Sequence, residues 1–146
     1  MAITSDGMFA YGEDSADLLQ WLRQYQVLDH PVDRLAVSAC RVCGHGVFTV
    51  VADYGGSGAR RICVSCGEVA FVADSEDYWM DDGAGPVLCD CGGDSFEVAV
   101  SFTMYANGED VRAVCVGVRC LADGMIGAPA DWNIRDHPSL HLTDRI

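Results

Sequence analysis

Two pairs of cysteines, each with two residues between its members and a glycine after the second, constrain this chain more than any other feature of its sequence. A structural zinc ion needs four soft ligands in a tetrahedron. A C-x-x-C turn, called a knuckle below, supplies two of them from one tight loop whose backbone N–H groups point at the sulfurs. Nineteen residues separate the two pairs, enough for a hairpin that returns the second knuckle to the first. The predicted ligands of this first site are Cys40, Cys43, Cys63 and Cys66.

The number of cysteines bears on the compartment and on the role of the thiols. The chain has eight cysteines in 146 residues. Cysteines in a reducing compartment are more often metal ligands, whereas those of a secreted chain are more often disulfide-bonded. No apolar run approaches the roughly 18 residues of a membrane span, and the first ten residues lack the basic end and apolar centre of a secretion signal. We therefore expect a cytoplasmic protein, without membrane association, whose cysteines bind metal.

A second group of cysteines encloses a longer predicted hairpin. Apolar and polar residues alternate over 96–105, which is typical of a strand, and Asn-Gly at 107–108 is a favoured hairpin turn. The β-forming residues at 111–119 predict the returning strand. The cysteines that flank this hairpin are Cys89, Cys91 and Cys120.

The two groups align as an internal repeat. Phe48 follows Cys43, the last cysteine of the first knuckle, at the same interval at which Phe96 follows Cys91. In the same alignment Asp123 takes the position of Cys66. The second group therefore offers three cysteines and an aspartate where the first offers four cysteines.

Two residues compete as the fourth ligand of the second site. Asp123 lies in the knuckle, and aspartate is a legitimate zinc ligand although a harder one than thiolate. Strand alternation points Cys115 away from the face that carries Cys120, so Cys115 would reach a shared metal only across a bulge. We favour Asp123 and keep Cys115, or no metal at all, as alternatives. The predicted second site is Cys89, Cys91, Cys120 and Asp123.

Residues 40–79 resemble the zinc ribbons, in which two rubredoxin-like knuckles lie on a small antiparallel sheet. Residues 89–132 match in part, because the knuckle at 89–91 is one residue tighter than usual. The resemblance implies metal binding and a fold, but no activity. We expect zinc at both sites, with iron as an alternative at the first, because four thiolates also describe the iron site of rubredoxin-like proteins.

We predict a mostly β fold, small and metal-stabilised, of two tandem zinc ribbons after one short N-terminal helix. Leucines at helical spacing follow an N-cap at Asp14 or Ser15 and indicate the helix. The predicted divisions are an N-terminal helical segment at 1–36, a first ribbon with an acidic linker at 37–82, and a second, longer ribbon with a C-terminal tail at 83–146.

Acidic residues dominate the charge of the chain. The formal net charge is -13. Residues 74–82 hold five acids around a tyrosine and a tryptophan, which is the composition of a solvated linker or of a surface for a basic partner with an apolar pocket. Trp132 follows Asp131 and indicates either a second docking surface or a residue that closes the small core.

The motifs favour binding over catalysis. The sequence has neither H-E-x-x-H nor the zinc-deaminase signature, so no hydrolytic base is indicated and we expect no enzyme. His45 follows a complete knuckle and is expected to face solvent. The leading hypothesis is an adaptor or regulator that presents an acidic surface to a basic protein. The alternatives are nucleic-acid binding through Arg60 and Arg61, which the net charge disfavours, electron transfer by a rubredoxin-like iron site, and thiol redox sensing.

Overall fold

Strands provide most of the regular structure of this protein. A computed structural model describes residues 3–5, 9–25, 31–53, 58–134 and 136–146. Within them all ten strands belong to one antiparallel sheet, and the one helix of more than seven residues is N-terminal, so the predicted mostly β class is confirmed. The strands are β1 (Thr4–Ser5), β2 (Ala10–Tyr11), β3 (Arg34–Val37), β4 (Phe48–Asp53), β5 (Gly58–Cys63), β6 (Val69–Phe71), β7 (Ala84–Pro86), β8 (Phe96–Met104), β9 (Val111–Cys120) and β10 (Met125–Asn133).

Two hairpins occupy the centre of the sheet, where the sequence predicted them. β4 pairs with β5, and β8 pairs with β9. In each hairpin the first residue lies opposite the closing cysteine, since Phe48 pairs with Cys63 and Phe96 with Cys120. The internal repeat therefore has the same register in both hairpins. The predicted turn of the first hairpin, at 55–58, lies outside the described residues except for Gly58.

The hairpins join through one pair of residues, Phe48 and Phe96, at the starts of β4 and β8. Farther along, β3 pairs with β8 and β7 pairs with β4, so each strand has a different neighbour beyond the junction. Directly paired residues share a face of the sheet. Cys63, Phe48, Phe96 and Cys120 therefore form a row across four adjacent strands.

Both hairpins contribute to the main hydrophobic core. Three alternate valines of β9, Val114, Val116 and Val118, are buried there. They pack in one cluster with the apolar face of the first hairpin and with Trp132 of β10. Trp132 is 8% exposed, so of its two interpretations the core residue is the one that the structure supports.

A smaller cluster covers the opposite face of β8 and β9. The helix α1 (Ser15–Gln24) packs Leu18 and Leu22 against Ala99 and Cys115. The close approach depends on Gly117, because a Cβ there would lie 3.2 Å from the Leu22 side chain. Cys115 therefore points away from the main core, as the alternation of β9 predicted.

Helix α1 begins at a capped end. The Asp14 carboxylate accepts a hydrogen bond from the N–H of Asp17 at 3.0 Å, which confirms Asp14 as the N-cap. The Asp17 carboxylate in turn accepts from the N–H of Glu13 at 2.8 Å. The Asp-His-Pro stretch at 29–31, whose proline predicts that the helical region has ended, lies outside the described residues except for Pro31. In the described ranges no helix combines the length and the apolar character needed to cross a membrane.

Residues 74–86, where the sequence predicted an acidic linker, are folded onto the sheet. They form the short helix α2 (Ser75–Tyr78), a 3-10 turn (Asp81–Gly83) and strand β7. Asp74 and Ser75 are buried at the start of this stretch. The chain between the two hairpins is thus part of the packed structure. A second 3-10 turn, Leu140–Asp144, closes the chain against β9.

Candidate metal centres

The first site lies where two knuckles meet beside the β4–β5 hairpin. The Sγ atoms of Cys40 and Cys66 are 3.5 Å apart. Those of Cys43 and Cys63 are also 3.5 Å apart. All four sulfurs lie within 4.8 Å of one another, so the group could hold a metal ion. The structure thus brings together every residue predicted for this site, two of them buried and two exposed.

The sulfur spacing suits a tetrahedral ion. With a zinc–sulfur distance of about 2.3 Å, sulfurs at two corners of a tetrahedron are about 3.8 Å apart. The observed spacings of 3.5 Å are close to this value. They are far longer than the roughly 2.05 Å of a disulfide bond. The arrangement therefore matches four thiolates around one ion.

Backbone groups favour the thiolate form, which a metal requires, at Cys40 and Cys63. At Cys66 the N–H of Glu68 also lowers the thiol pKa, but Cys40 and burial together raise it to about 12. The N–H of Cys43 lowers the pKa of Cys40 despite the opposing effect of burial. Burial also opposes ionisation of Cys63, but the N–H groups of Cys66 and Ser65 lower the pKa of Cys63 to about 6. A lower thiol pKa reduces the competition between protons and metal.

The glycine after each knuckle has the left-handed conformation that the turn requires. Gly44 has a φ of 76° and Gly67 a φ of 80°. Each donates its N–H, at 2.9 Å, to the carbonyl of the first cysteine in its knuckle, Cys40 or Cys63. A residue with a Cβ would be strained at these φ angles.

The second site has the same plan with one different ligand atom. Cys91 Sγ lies 3.7 Å from Cys120 Sγ. Cys89 Sγ lies 3.4 and 3.5 Å from the two carboxylate oxygens of Asp123. One atom from each of these four residues lies within 4.8 Å of the others, so this group too could hold a metal ion. Its donors are three sulfurs and one oxygen.

Asp123, rather than Cys115, has the position of a fourth ligand. The N–H of Met125 donates to the Asp123 carboxylate at 2.9 Å and lowers the pKa of Asp123. Burial raises the pKa of Cys115 to about 12, with a further contribution from Asp131, but it also raises the pKa of the ligand Cys89 to about 12, so position and not ionisation separates Cys115 from the ligands. Cys115 also packs under α1, in the smaller cluster.

Gly93 is a residue of the second site that the sequence analysis did not single out. A Cβ at this position would lie 2.9 Å from Cys120 Sγ and 3.3 Å from Cys91 Sγ. Its carbonyl accepts from the N–H of Cys89 at 2.9 Å, which closes the short knuckle. The available signal was a second glycine directly after a knuckle with only one residue between its cysteines.

The two arginines assigned to phosphates in the nucleic-acid hypothesis have different surroundings. Arg61 is 2% exposed and cannot reach a phosphate at the surface. Arg60 lies on the other face of β5, where its guanidinium carbon is 5.0 Å from the ring centroid of Trp79 and 6.0 Å from that of Phe71. His45 is exposed, as expected.

The two sites are close enough to belong to one structural unit. Cys63 and Cys120 are the outer members of the row across β5, β4, β8 and β9. Three inter-strand spacings of about 4.8 Å give a separation of about 14 Å between their Cα atoms. The Phe48 and Phe96 rings lie between them in the core.

Exposed aliphatic side chains surround both sites. Val42 is 71% exposed within the first knuckle, and Leu88, next to Cys89, is 61% exposed. Two further exposed aliphatic residues, Val64 and Leu121, occupy the second knuckle of each site.

Comparison of the chain with known protein families, with curated proteins and with solved structures finds no match.

Proposed function

We propose that this protein is a zinc-stabilised adaptor or regulator that binds a basic protein partner through the acidic segment, residues 74–82. Both ligand groups suit zinc, which accepts thiolate and carboxylate donors in a tetrahedron. Zinc has no redox chemistry of its own, so its part here is to hold the knuckles. The surface that binds the partner is formed by protein residues and not by the metal.

The observation that carries this proposal is that hydrogen bonds to two buried aspartates hold the acidic segment near both of its ends. At its start, Trp132 Nε1 donates to the carboxylate of Asp74 at 2.8 Å. Near its end, the N–H of Met80 donates to the carboxylate of Asp53 at 2.7 Å. Both aspartates are buried. A segment fixed in this way loses little conformational entropy when a partner binds.

Between these contacts the segment presents its charges to solvent. Four acidic residues are exposed around Met80, itself 54% exposed. An apolar centre inside a charged rim is typical of protein-binding surfaces, and the sign of the rim favours a basic partner. The exposed acids are Glu76, Asp77, Asp81 and Asp82.

Paired charge variants test the adaptor function. One chain carries Glu76→Gln, Asp77→Asn and Asp82→Asn, and leaves Asp81 intact because it accepts from Trp79 Nε1. The control chain carries three neutralisations at exposed positions elsewhere: Glu13→Gln, Glu109→Gln and Asp131→Asn. Both chains change the net charge equally.

We expect the wild-type and control proteins to capture the same partner from an extract of the native host at physiological salt. The acidic-segment variant should lose that partner while it keeps its metal content. Equal capture by both variants, or equal loss from both, would show that the acidic segment is not the binding surface.

The metal itself is tested on natively purified protein. Two zinc ions per chain and a colourless solution are the expected result, measured by elemental analysis. A red colour and one iron per chain would instead favour the electron-transfer alternative, because a four-thiolate site holds either metal.

A further inference from the structure

Arg61 is the largest fully buried side chain among the described residues. It lies on β5 two residues before Cys63, so both side chains are on the core face of the strand. Its guanidinium carbon is 4.6 Å from the ring centroid of Phe48, which pairs with Cys63. A permanently charged group thus lies in the core against Phe48, next to the row that leads to the first metal site.

Two of the three guanidinium nitrogens of Arg61 have hydrogen-bond partners. Nε donates to the main-chain oxygen of Ile146 at 2.9 Å, and one terminal nitrogen donates to the carbonyl of Ala39 at 3.4 Å. The other terminal nitrogen is buried and has no hydrogen-bond partner. A buried charge is costly unless a counter-charge compensates it.

No carboxylate side chain supplies that counter-charge at close range. In the part of the chain that the structure describes, the ion pairs within 4 Å are Arg119 with Glu97 and His137 with Asp110. Burial lowers the pKa of Arg61, and three negative groups act against that effect: Glu68 first, then the thiolates of Cys40 and Cys63. Two of these three groups are predicted ligands of the first metal site.

We propose that Arg61 is the counter-charge and positioning residue of the first metal site. Four thiolates and one zinc ion carry a net charge of -2, and the buried positive charge of Arg61 offsets half of it. The hydrogen bond to the Ala39 carbonyl also fixes the residue before Cys40, and so the entry to the first knuckle. This inference rests on the proposed zinc at that site.

The second site provides the internal comparison. In the repeat, the position of Arg61 is taken by Val118, which is buried in the main core. The nearby Arg119 instead forms an ion pair with Glu97 across the hairpin. The buried cation is therefore a feature of the first site, so removal of its charge should affect that site selectively.

The test measures the zinc affinity of each site by competition with a chromophoric chelator. Arg61→Gln removes the charge but keeps a hydrogen-bond donor, and Arg61→Lys keeps the charge. In an Asp123→Ala background the measurement reports the first site, and in a Cys43→Ser background it reports the second. Arg119→Gln is the matched control.

We expect Arg61→Gln to weaken zinc binding at the first site by about 10- to 100-fold, as loss of an outer partner of a metal ligand commonly does. Arg61→Lys should restore most of this affinity, whereas Arg119→Gln should leave the first site within about twofold of the unchanged background protein. The second site should respond to neither Arg61 variant. If Arg61→Gln fails to fold with zinc, Arg61→Met, which keeps the apolar stem, replaces it in the same comparison.

Four results would overturn the inference. An unchanged first site in Arg61→Gln would remove the electrostatic role and leave the proposed zinc sites intact. Equal weakening of both sites, or failure of Arg61→Lys to restore affinity, would assign Arg61 to general packing. A first site that binds no zinc in the unchanged Asp123→Ala background would refute the proposed zinc site itself.

Discussion

Asp123 occupies the position in its knuckle that Cys66 has in the first site, so its removal should cost one metal ion. We expect two zinc ions per wild-type chain, one after Asp123→Ala and two after Cys115→Ser. The physical reason is that Asp123 lies against Cys89, whereas Cys115 lies on the opposite face of β9. Elemental analysis of purified protein measures the outcome. Loss of metal from Cys115→Ser alone would reverse the ligand assignment.

Gly93 should be as important to the second site as a ligand. Gly93→Ala places a methyl group 2.9 Å from Cys120 Sγ, so the short knuckle must open and zinc at the second site should be lost or bound at least tenfold more weakly. Gly46→Ala is the control, because a Cβ there meets nothing within 4 Å. Chelator competition compares the two variants, and similar zinc affinities for both would contradict the prediction.

At the scale of single residues, spacing predicted the ligands better than it predicted what surrounds them. The four cysteines of the first site follow from the knuckle pattern, because the turn itself sets their positions. The sequence suggests a role for Arg61 only in the disfavoured nucleic-acid alternative, since two adjacent arginines before a knuckle give no indication of which one is buried. Only the pairing of β5 with β4 places Arg61 on the core face beside Phe48.

At the scale of elements, Trp132 of β10 ties the acidic segment to the sheet. Trp132→Phe keeps most of the buried ring but removes the donor to Asp74, and the weakened contact should lower the free energy of unfolding by about 1–3 kcal/mol. Backbone amides at 74–82 should then exchange with deuterium faster than in the wild type. Chemical denaturation and hydrogen exchange measure the two effects.

Trp79→Phe is the matched control for that prediction. Its Nε1 also donates to an aspartate, Asp81, but this hydrogen bond is exposed, so water can take the place of either partner. We expect a smaller loss of stability than in Trp132→Phe. Equal effects of the two substitutions would mean that the buried contact with Asp74 does not anchor the segment.

Elements with regular alternation were predictable, and those with interrupted alternation were not. Strand β8 matches its predicted strand because it keeps a period of two with the apolar side facing the core. The predicted third strand at 68–73 is present in shorter form as β6. Strand β10 was not predicted, because Gly127 and Pro129 interrupt its pattern and its register with β9 shifts between Gly127 and Ala130.

At the scale of the whole molecule, the shared core makes the two sites interdependent for stability. Cys43→Ser removes an exposed ligand of the first site without leaving a cavity in the core. A metal at about a thousand times its Kd stabilises a fold by about 4 kcal/mol. Its loss should lower Tm by roughly 15 °C in a chain of this size.

The second hairpin should share in this loss of stability. Because residues of both hairpins pack in one cluster, amides of β8 and β9 should exchange faster in Cys43→Ser although their own ligands are intact. Thermal unfolding followed by circular dichroism gives Tm, and hydrogen exchange locates the change. Unaltered exchange in β8 and β9 would show that the hairpins unfold independently.

The sequence predicted two similar hairpins but could not predict how they meet. Alternation shows which face of a strand is buried, yet it carries no information about which strand lies beside it. The junction consists of one pair, Phe48 with Phe96, formed between residues far apart in the chain. The acidic stretch between the hairpins was also ambiguous, because its composition suits a linker and a folded surface alike.

The pairing of Phe48 with Phe96 has a geometric consequence. The two are equivalent residues of a repeat, and antiparallel neighbours exchange places under a half-turn rotation. A local two-fold axis therefore passes between them and relates one knuckle hairpin to the other. The protein is a pseudo-dimer within one chain, and its specialised features are the departures from that symmetry: an aspartate opposite a cysteine, a short knuckle opposite a longer one, and a buried arginine opposite a valine.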